Sequence, residues 1–167
     1  MAQVAVIMGS KSDLGTLEGC FKILDDFGIS YVKRVMSAHR TPAEAAEFAS
    51  AAADNGFKVI ICAAGMAAHL AGAVAANTVL PVIGIPVSCE PFNGFDALLS
   101  TVQMPPGIPV ATVAVNGATN AAVLATQILS VKYKDLQKKM TEYKAQLAAK
   151  VEAKDAALQE KLKSINI

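Results

Sequence analysis

The sequence predicts an α/β chain: a three-layer α/β/α sandwich on a parallel sheet, plus a long C-terminal helix. Three observations carry that prediction. Short apolar runs rich in Val and Ile alternate with segments of helical periodicity from Gln3 to about Leu129. The stretch from Val59 to Cys89 holds no Asp, Glu, Lys or Arg, as strands covered on both faces require. Beyond Leu129 apolar residues step by four and three with no Gly or Pro, which reads as one long helix.

Gln3–Met8 is a buried strand, and Gly9-Ser10-Lys11-Ser12-Asp13 is the turn after it. A helix from about Leu14 to Phe27 carries Leu14, Leu17, Phe21 and Leu24 on one face, and Gly28 stops it. Strand two spans roughly Ile29–Val35. Helix two runs from Pro42 to about Asn55 with Phe48 and Ala52 inward. Thr41 is placed to N-cap it, and Glu44 to complete a capping box. Lys58–Ala64 is strand three, and the small-residue loop Ala64–Gly72 leads into a helix ending near Asn77.

Pro81–Pro86 is strand four, followed by an irregular stretch in which Pro91 and Asn93-Gly94 signal turns. Phe95–Gln103 is a short helix, Val110–Val115 strand five, and Asn120–Leu129 an apolar helix. A strand order of 2-1-3-4-5 would put the switch point between strands one and three. The Gly9–Asp13 and Ala64–Gly72 loops would then face one crevice, with His39 and Arg40 beside it.

The final helix carries a narrow seam of Leu129, Tyr133, Leu136, Met140, Tyr143 and Leu147, continued by Val151, Leu158, Leu162 and Ile165. Asp135 and Lys139 form an i,i+4 pair in the favourable order. A small sandwich cannot cover so long a seam, so packing on a neighbouring subunit is expected, with a disordered last turn or two. The division is thus 1–130 for the sandwich and 131–167 for its helical extension.

Composition narrows the function. The chain of 167 residues is 53% hydrophobic and 17% charged, which excludes a disordered segment. Net charge is +1, so nothing global points to nucleic acid. The charge-free stretch is long enough for a membrane span, but Gly65, His69, Gly72, Asn77, Pro81, Gly84 and Pro86 punctuate it, and no membrane association is expected. Cys20, Cys62 and Cys89 lack C-x-x-C spacing and read as reduced cytosolic thiols. The chain enters a strand almost at once, so no targeting segment is expected and the location is read as cytoplasmic.

Ser37-Ala38-His39-Arg40-Thr41-Pro42 falls at the carboxyl end of strand two, before a helix. An imidazole for moving protons stands there beside a guanidinium for gripping an anion. Gly9–Asp13 precedes a helix N-terminus, where free N–H groups favour an anion and Ser10 and Ser12 add hydroxyls. Asp13 suits a ribose diol. Gly65, Ala68 and Leu70 belong to a nearly side-chain-free loop that lets a flat ligand approach, and His69 is its one proton-moving group. The same residues also suit ordinary caps and tight helix packing. Two histidines thirty positions apart, with no clustered ligands, argue against a metal. Walker, G-x-G-x-x-G and G-x-S-x-G patterns are absent.

These motifs coincide in one family. Met8–Asp13, Ser37–Pro42, Ala67-Ala68-His69-Leu70, Leu80–Val87, Val102–Pro105, Gly107–Val113 and Asn120–Ala122 resemble the 5-(carboxyamino)imidazole ribonucleotide mutases of purine biosynthesis. The resemblance covers nearly everything up to residue 130. It implies a flavodoxin-like sandwich, a homo-octamer, and an isomerisation that uses no cofactor or metal. A carboxylate moves from the exocyclic nitrogen to ring carbon 4 by loss and recapture of CO2. By the same resemblance Ser10, Asp13 and Arg40 bind the ribonucleotide and His39 is the acid/base. Ser12, Ser37, Ala38, Gly65, Ala68, His69 and Leu70 complete the expected binding set.

Ala63, Met66, Ala71 and Ala73 depart from the family's usual Gly, Gly, Pro and Met, and Met66 adds bulk at the pocket wall. Two alternatives stand beside the mutase. One is a carboxylase acting on aminoimidazole ribonucleotide with free CO2; such relatives tend to have Lys at Arg40 and to lack Ala-Ala-His-Leu. The other is a non-enzymatic flavodoxin-like mononucleotide-binding module. A receiver would need carboxylates where Gly9-Ser10 and Ala63-Ala64 stand, and a flavin site would need more rim aromatics than Phe92 and Phe95.

Overall fold

The computed structural model describes residues 3–165. Five parallel strands form one sheet: β1 (Val4–Met8), β2 (Tyr31–Val35), β3 (Val59–Gly65), β4 (Val82–Val87) and β5 (Ala111–Thr112). Their order is β2-β1-β3-β4-β5, so the switch point lies between β1 and β3 as expected. Met8 of β1 stands level with Val35 of β2 and Ala63 of β3. The segments that leave these three carboxyl ends therefore start side by side.

Alternate residues of the central strands feed two cores. Val4, Val6, Met8, Val59, Ile61, Ile83 and Ile85 pack against α1 (Glu18–Phe27), α5 (Ala118–Ser130) and the start of α6 (Lys134–Ser164). Ala5, Ile7, Ile60, Cys62 and Val82 pack against α2 (Pro42–Ala51) and α3 (Leu70–Ala75). Thr101 of α4 (Phe95–Val102) lies against Gly84 of β4. The result is the three-layer sandwich. Among the described residues no helix is long and apolar enough to cross a membrane, and the charge-free stretch divides into β3, α3 and β4.

Several boundaries differ from the expectation for physical reasons. The first helix begins at Glu18 rather than near Leu14, because Lys11–Leu14 is a separate 3-10 turn held by local side-chain bonds. Leu14 consequently points to solvent at 42% exposure. Gly28, in the left-handed region at φ 71, ends α1 as predicted, and the Ile29 N–H reaches back to the Leu24 carbonyl at 2.8 Å. Strand five shrinks to two residues because regular pairing is lost while the chain stays beside β4: the Val113 N–H still bonds to the Gly84 carbonyl at 3.1 Å, and the next such bond is three residues on. The Asn116 N–H bonds to the Pro86 carbonyl at 2.8 Å, and Asn116 is itself left-handed at φ 56.

The long terminal helix is broken once. Tyr133 is extended, at φ −100 and ψ 105, and α6 restarts at Lys134. Leu136 and Met140 are buried and Tyr133 and Tyr143 pack against the core, so packing redirects the chain without Gly or Pro. Lys139 does not pair with Asp135; its Nζ donates to the Phe27 carbonyl at 2.9 Å. An ammonium there meets the negative end of the α1 dipole, which outcompetes a solvent-exposed ion pair. α6 continues to Ser164, through turns expected to be disordered; residues 166 and 167 lie outside the described residues.

Candidate active site

The first wall grows from the end of β1. Gly9 remains tied to the sheet through its N–H to the Ala63 carbonyl at 2.9 Å. Ser10 then caps the 3-10 turn. Its N–H donates to Asp13 Oδ2 at 3.0 Å, and its Oγ accepts the Ser12 N–H at 3.3 Å and the Ser12 hydroxyl at 2.8 Å. Asp13 is 7% exposed. Burial raises its carboxyl above the ordinary value, opposed by the Ser10 N–H and then the Ser12 hydroxyl.

The sign of that shift gives a test. A raised carboxyl binds its proton more tightly in the folded chain than in the unfolded one. Stability therefore falls as pH rises from the ordinary carboxylate value through the raised one. Asp13→Asn, whose amide oxygen can still accept from Ser10, should melt above wild type at pH 7. The difference should vanish below the ordinary carboxylate value. Melting curves across pH check this; a variant that melts lower at pH 7 would contradict it.

The second wall grows from the end of β2. The Met36 N–H bonds the Met8 carbonyl at 3.0 Å, and the chain folds into a tight turn. Ser37 Oγ accepts the His39 N–H at 3.3 Å and the Arg40 N–H at 3.1 Å. Ser37 thus builds the turn that presents both side chains. The expected capping box is not formed. Thr41 Oγ1 instead accepts the Ser37 N–H at 3.0 Å, while Glu44 pairs with Arg34 at 3.1 Å. The free N–H of Ser37 closes the turn with Thr41, and the Arg34 guanidinium draws Glu44 outward. Pro42 takes the first helical position, as predicted.

The third wall is the link from β3 to α3. A Cβ on Gly65 would meet Cys89 Sγ at 2.5 Å and the Val87 carbonyl oxygen at 3.2 Å, so any other residue there would have to displace the Cys89 side chain. Met66 follows in the left-handed region at φ 55, a conformation costing a non-glycine residue about 1–2 kcal/mol. Ala68 is 1% exposed and turned into the protein. His69 stands at the start of α3 and reaches across the crevice. Its Nδ1 lies 2.8 Å from His39 Nε2, with ring centroids 4.9 Å apart and planes at 76°. One of the two nitrogens donates and the other accepts, so a single proton bridges the rings.

These walls enclose a cavity of about 560 Å³. Of the residues singled out from sequence, Ser10, Ser12, Asp13, Ser37, Ala38 and His39 line it. So do Arg40, Gly65, His69 and Leu70; Ala68 does not. A recess of about 420 Å³ adjoins it, bordered by Gly9, Ser10, Lys11, Ser37 and Arg40 among others. Neither Lys11 nor Arg40 pairs with a carboxylate among the described residues. Lys11 and Cys89 are lining residues that motif reading passed over. Cys89 was detectable by its place just beyond strand four, on the rim where α/β sheets bind ligands.

A family model described as AIR carboxylase matches residues 3–150. The chain belongs to the AIR carboxylase family. Within that family it is 52% identical over 144 residues to an N5-carboxyaminoimidazole ribonucleotide mutase of Pyrococcus abyssi, spanning 86% of this chain and 83% of that one. A protein of the same description from Saccharolobus solfataricus is 54% identical over 143 residues, 86% of this chain and 90% of that one. The crystal structure of Treponema denticola PurE superposes with a TM-score of 0.85 at 31% identity, covering 95% of this chain and 99% of that one. AIR carboxylase family membership accounts for the sheet order and the α/β layers together.

Proposed function

We propose that the chain is an N5-carboxyaminoimidazole ribonucleotide mutase that isomerises its substrate within the cavity at the β1–β3 switch point. The observation that carries this reading is the contact of His39 with His69 in the cavity that the Ser10–Asp13 turn also lines. The recess with Lys11 and Arg40 suits the 5-phosphate of a ribonucleotide. Asp13 suits the ribose hydroxyls, although its Oδ2 also holds the turn. The base then lies toward the two imidazoles.

The steps balance as an isomerisation. The bond between the exocyclic nitrogen and the carboxylate carbon breaks, its electron pair stays on nitrogen, and the histidine pair gives nitrogen a proton. Carbon 4 of the electron-rich ring attacks the freed CO2 and becomes tetrahedral. His39 removes the hydrogen from carbon 4, and the ring regains aromaticity. The proton lent to nitrogen is thereby returned, so the pair ends as it began. His69 stabilises the charge on His39 by sharing the proton between the rings.

Purified protein should form the carbon-carboxylated product from the carboxyamino ribonucleotide without added bicarbonate, and labelled bicarbonate should enter the product poorly. Product formed only from aminoimidazole ribonucleotide plus high bicarbonate, fully labelled, would overturn the mutase reading in favour of the carboxylase.

The chain is proposed to act in the cytoplasm as a homo-oligomer, an octamer by the family resemblance. Residues 1–130 form the catalytic unit and 131–167 the extension that docks on a neighbour. Exposed apolar side chains support this. Phe92, Phe95, Leu99 and Val102 cluster in sequence around α4, and Leu147, Val151 and Leu158 continue the α6 seam past its last buried residue, Met140. Light scattering of the intact chain should return several times the 17.3 kDa of one protomer; a monomer would overturn the proposal.

A further inference from the structure

We infer that Met66 is the cover of the cavity: its side chain closes over the bound ribonucleotide and holds released CO2 until carbon 4 captures it. The inference rests on the mutase reading above. Met66 adopts φ 55, a conformation that residues with a Cβ rarely take. Its neighbours Gly65 and Ala67 leave the side chain uncrowded. It is 61% exposed yet lines the cavity, so it stands on the rim. It is among the buried or partly buried side chains of neither core. Ser12, His39, Arg40, Ala67 and His69, the other exposed lining residues, are polar or small. Among the described lining residues Met66 is therefore the one large apolar side chain at the mouth.

A strained backbone that holds a long apolar side chain on the cavity rim, outside both cores, sets that side chain beside whatever fills the cavity and leaves it exposed until a contact forms there. The ligand supplies it. CO2 is small and uncharged, so only shape and the exclusion of water retain it. A flexible thioether adapts to the flat base and closes the gap above it. With the mouth open, CO2 escapes after the carbon–nitrogen bond breaks. Nitrogen keeps the proton it received, the histidine pair takes a replacement from water, and the reaction ends as a decarboxylation to aminoimidazole ribonucleotide.

The partition between isomerisation and decarboxylation is the readout. Carboxyamino ribonucleotide is supplied to wild type, Met66→Ala, Met66→Gly and Met66→Leu in labelled bicarbonate, and decarboxylation without enzyme is subtracted. Met66→Ala and Met66→Gly should raise the ratio of aminoimidazole ribonucleotide to product by about threefold or more, with a matching rise in label. Met66→Leu, of similar bulk, should keep the wild-type ratio. Met66→Gly should also melt above wild type, because it relieves the left-handed strain, whereas Met66→Ala should not. Wild-type ratios in Met66→Ala and Met66→Gly would overturn the cover. So would a rise in Met66→Leu as large as in Met66→Ala. Wild type that forms no product would instead overturn the mutase reading, and this inference with it.

Discussion

His39→Asn should lose turnover by about a hundred- to ten-thousand-fold, or roughly 2.7–5.5 kcal/mol of barrier, while still binding the nucleotide. Asparagine keeps much of the size and polarity of the ring but exchanges no proton near neutral pH. The loss falls on the chemical step because His39 is held by its own backbone, through Ser37 Oγ, and not by the contact with His69. The turn that presents Arg40 is therefore undisturbed. Single-turnover rates and equilibrium binding on the same preparation separate the two effects. A variant that retains more than about a tenth of the rate, under ~1.4 kcal/mol of barrier, would show that His39 is not the acid/base.

Arg40→Lys should weaken nucleotide binding by about ten- to a hundredfold, the worth of roughly 1.5–3 kcal/mol for a hydrogen bond to a charged group. The guanidinium is exposed at the recess and pairs with no carboxylate among the described residues. No internal ion pair competes with a phosphate for it. Lysine keeps the charge but loses the planar fork that meets two phosphate oxygens at once. The nucleoside lacking phosphate should bind both forms almost equally. Equal losses for the two ligands would place Arg40 away from the phosphate.

How legible each feature was depends on how local its cause is. The three central strands could be read directly, because burial on both faces leaves little but Val, Ile and small residues in β1, β3 and β4. Capping chemistry was only half legible. Ser10 does cap with Asp13, but Thr41 and Glu44, the same pattern at the right spacing, found other partners in Ser37 and Arg34. A capping box competes with every donor and cation that folding brings near, and those neighbours are not encoded in the spacing. The break before α6 was invisible for the same reason: its cause is the fit of Tyr133, Leu136 and Met140 on the core.

The amino-acid sequence by itself determined the α/β class, the order of its elements and the residues able to do chemistry at the strand ends. Periodicity, turn residues and rare functional groups act over a few positions, so they survive in one dimension. Tertiary structure alone decided that His39 and His69, thirty positions apart, share a hydrogen bond of 2.8 Å. It also decided that Ala68 turns inward while Met66, two residues earlier, stands on the rim in a left-handed conformation. Those outcomes depend on the parallel register that sets the ends of β1, β2 and β3 level. Register arises from packing between segments distant in the chain, and no local pattern carries it.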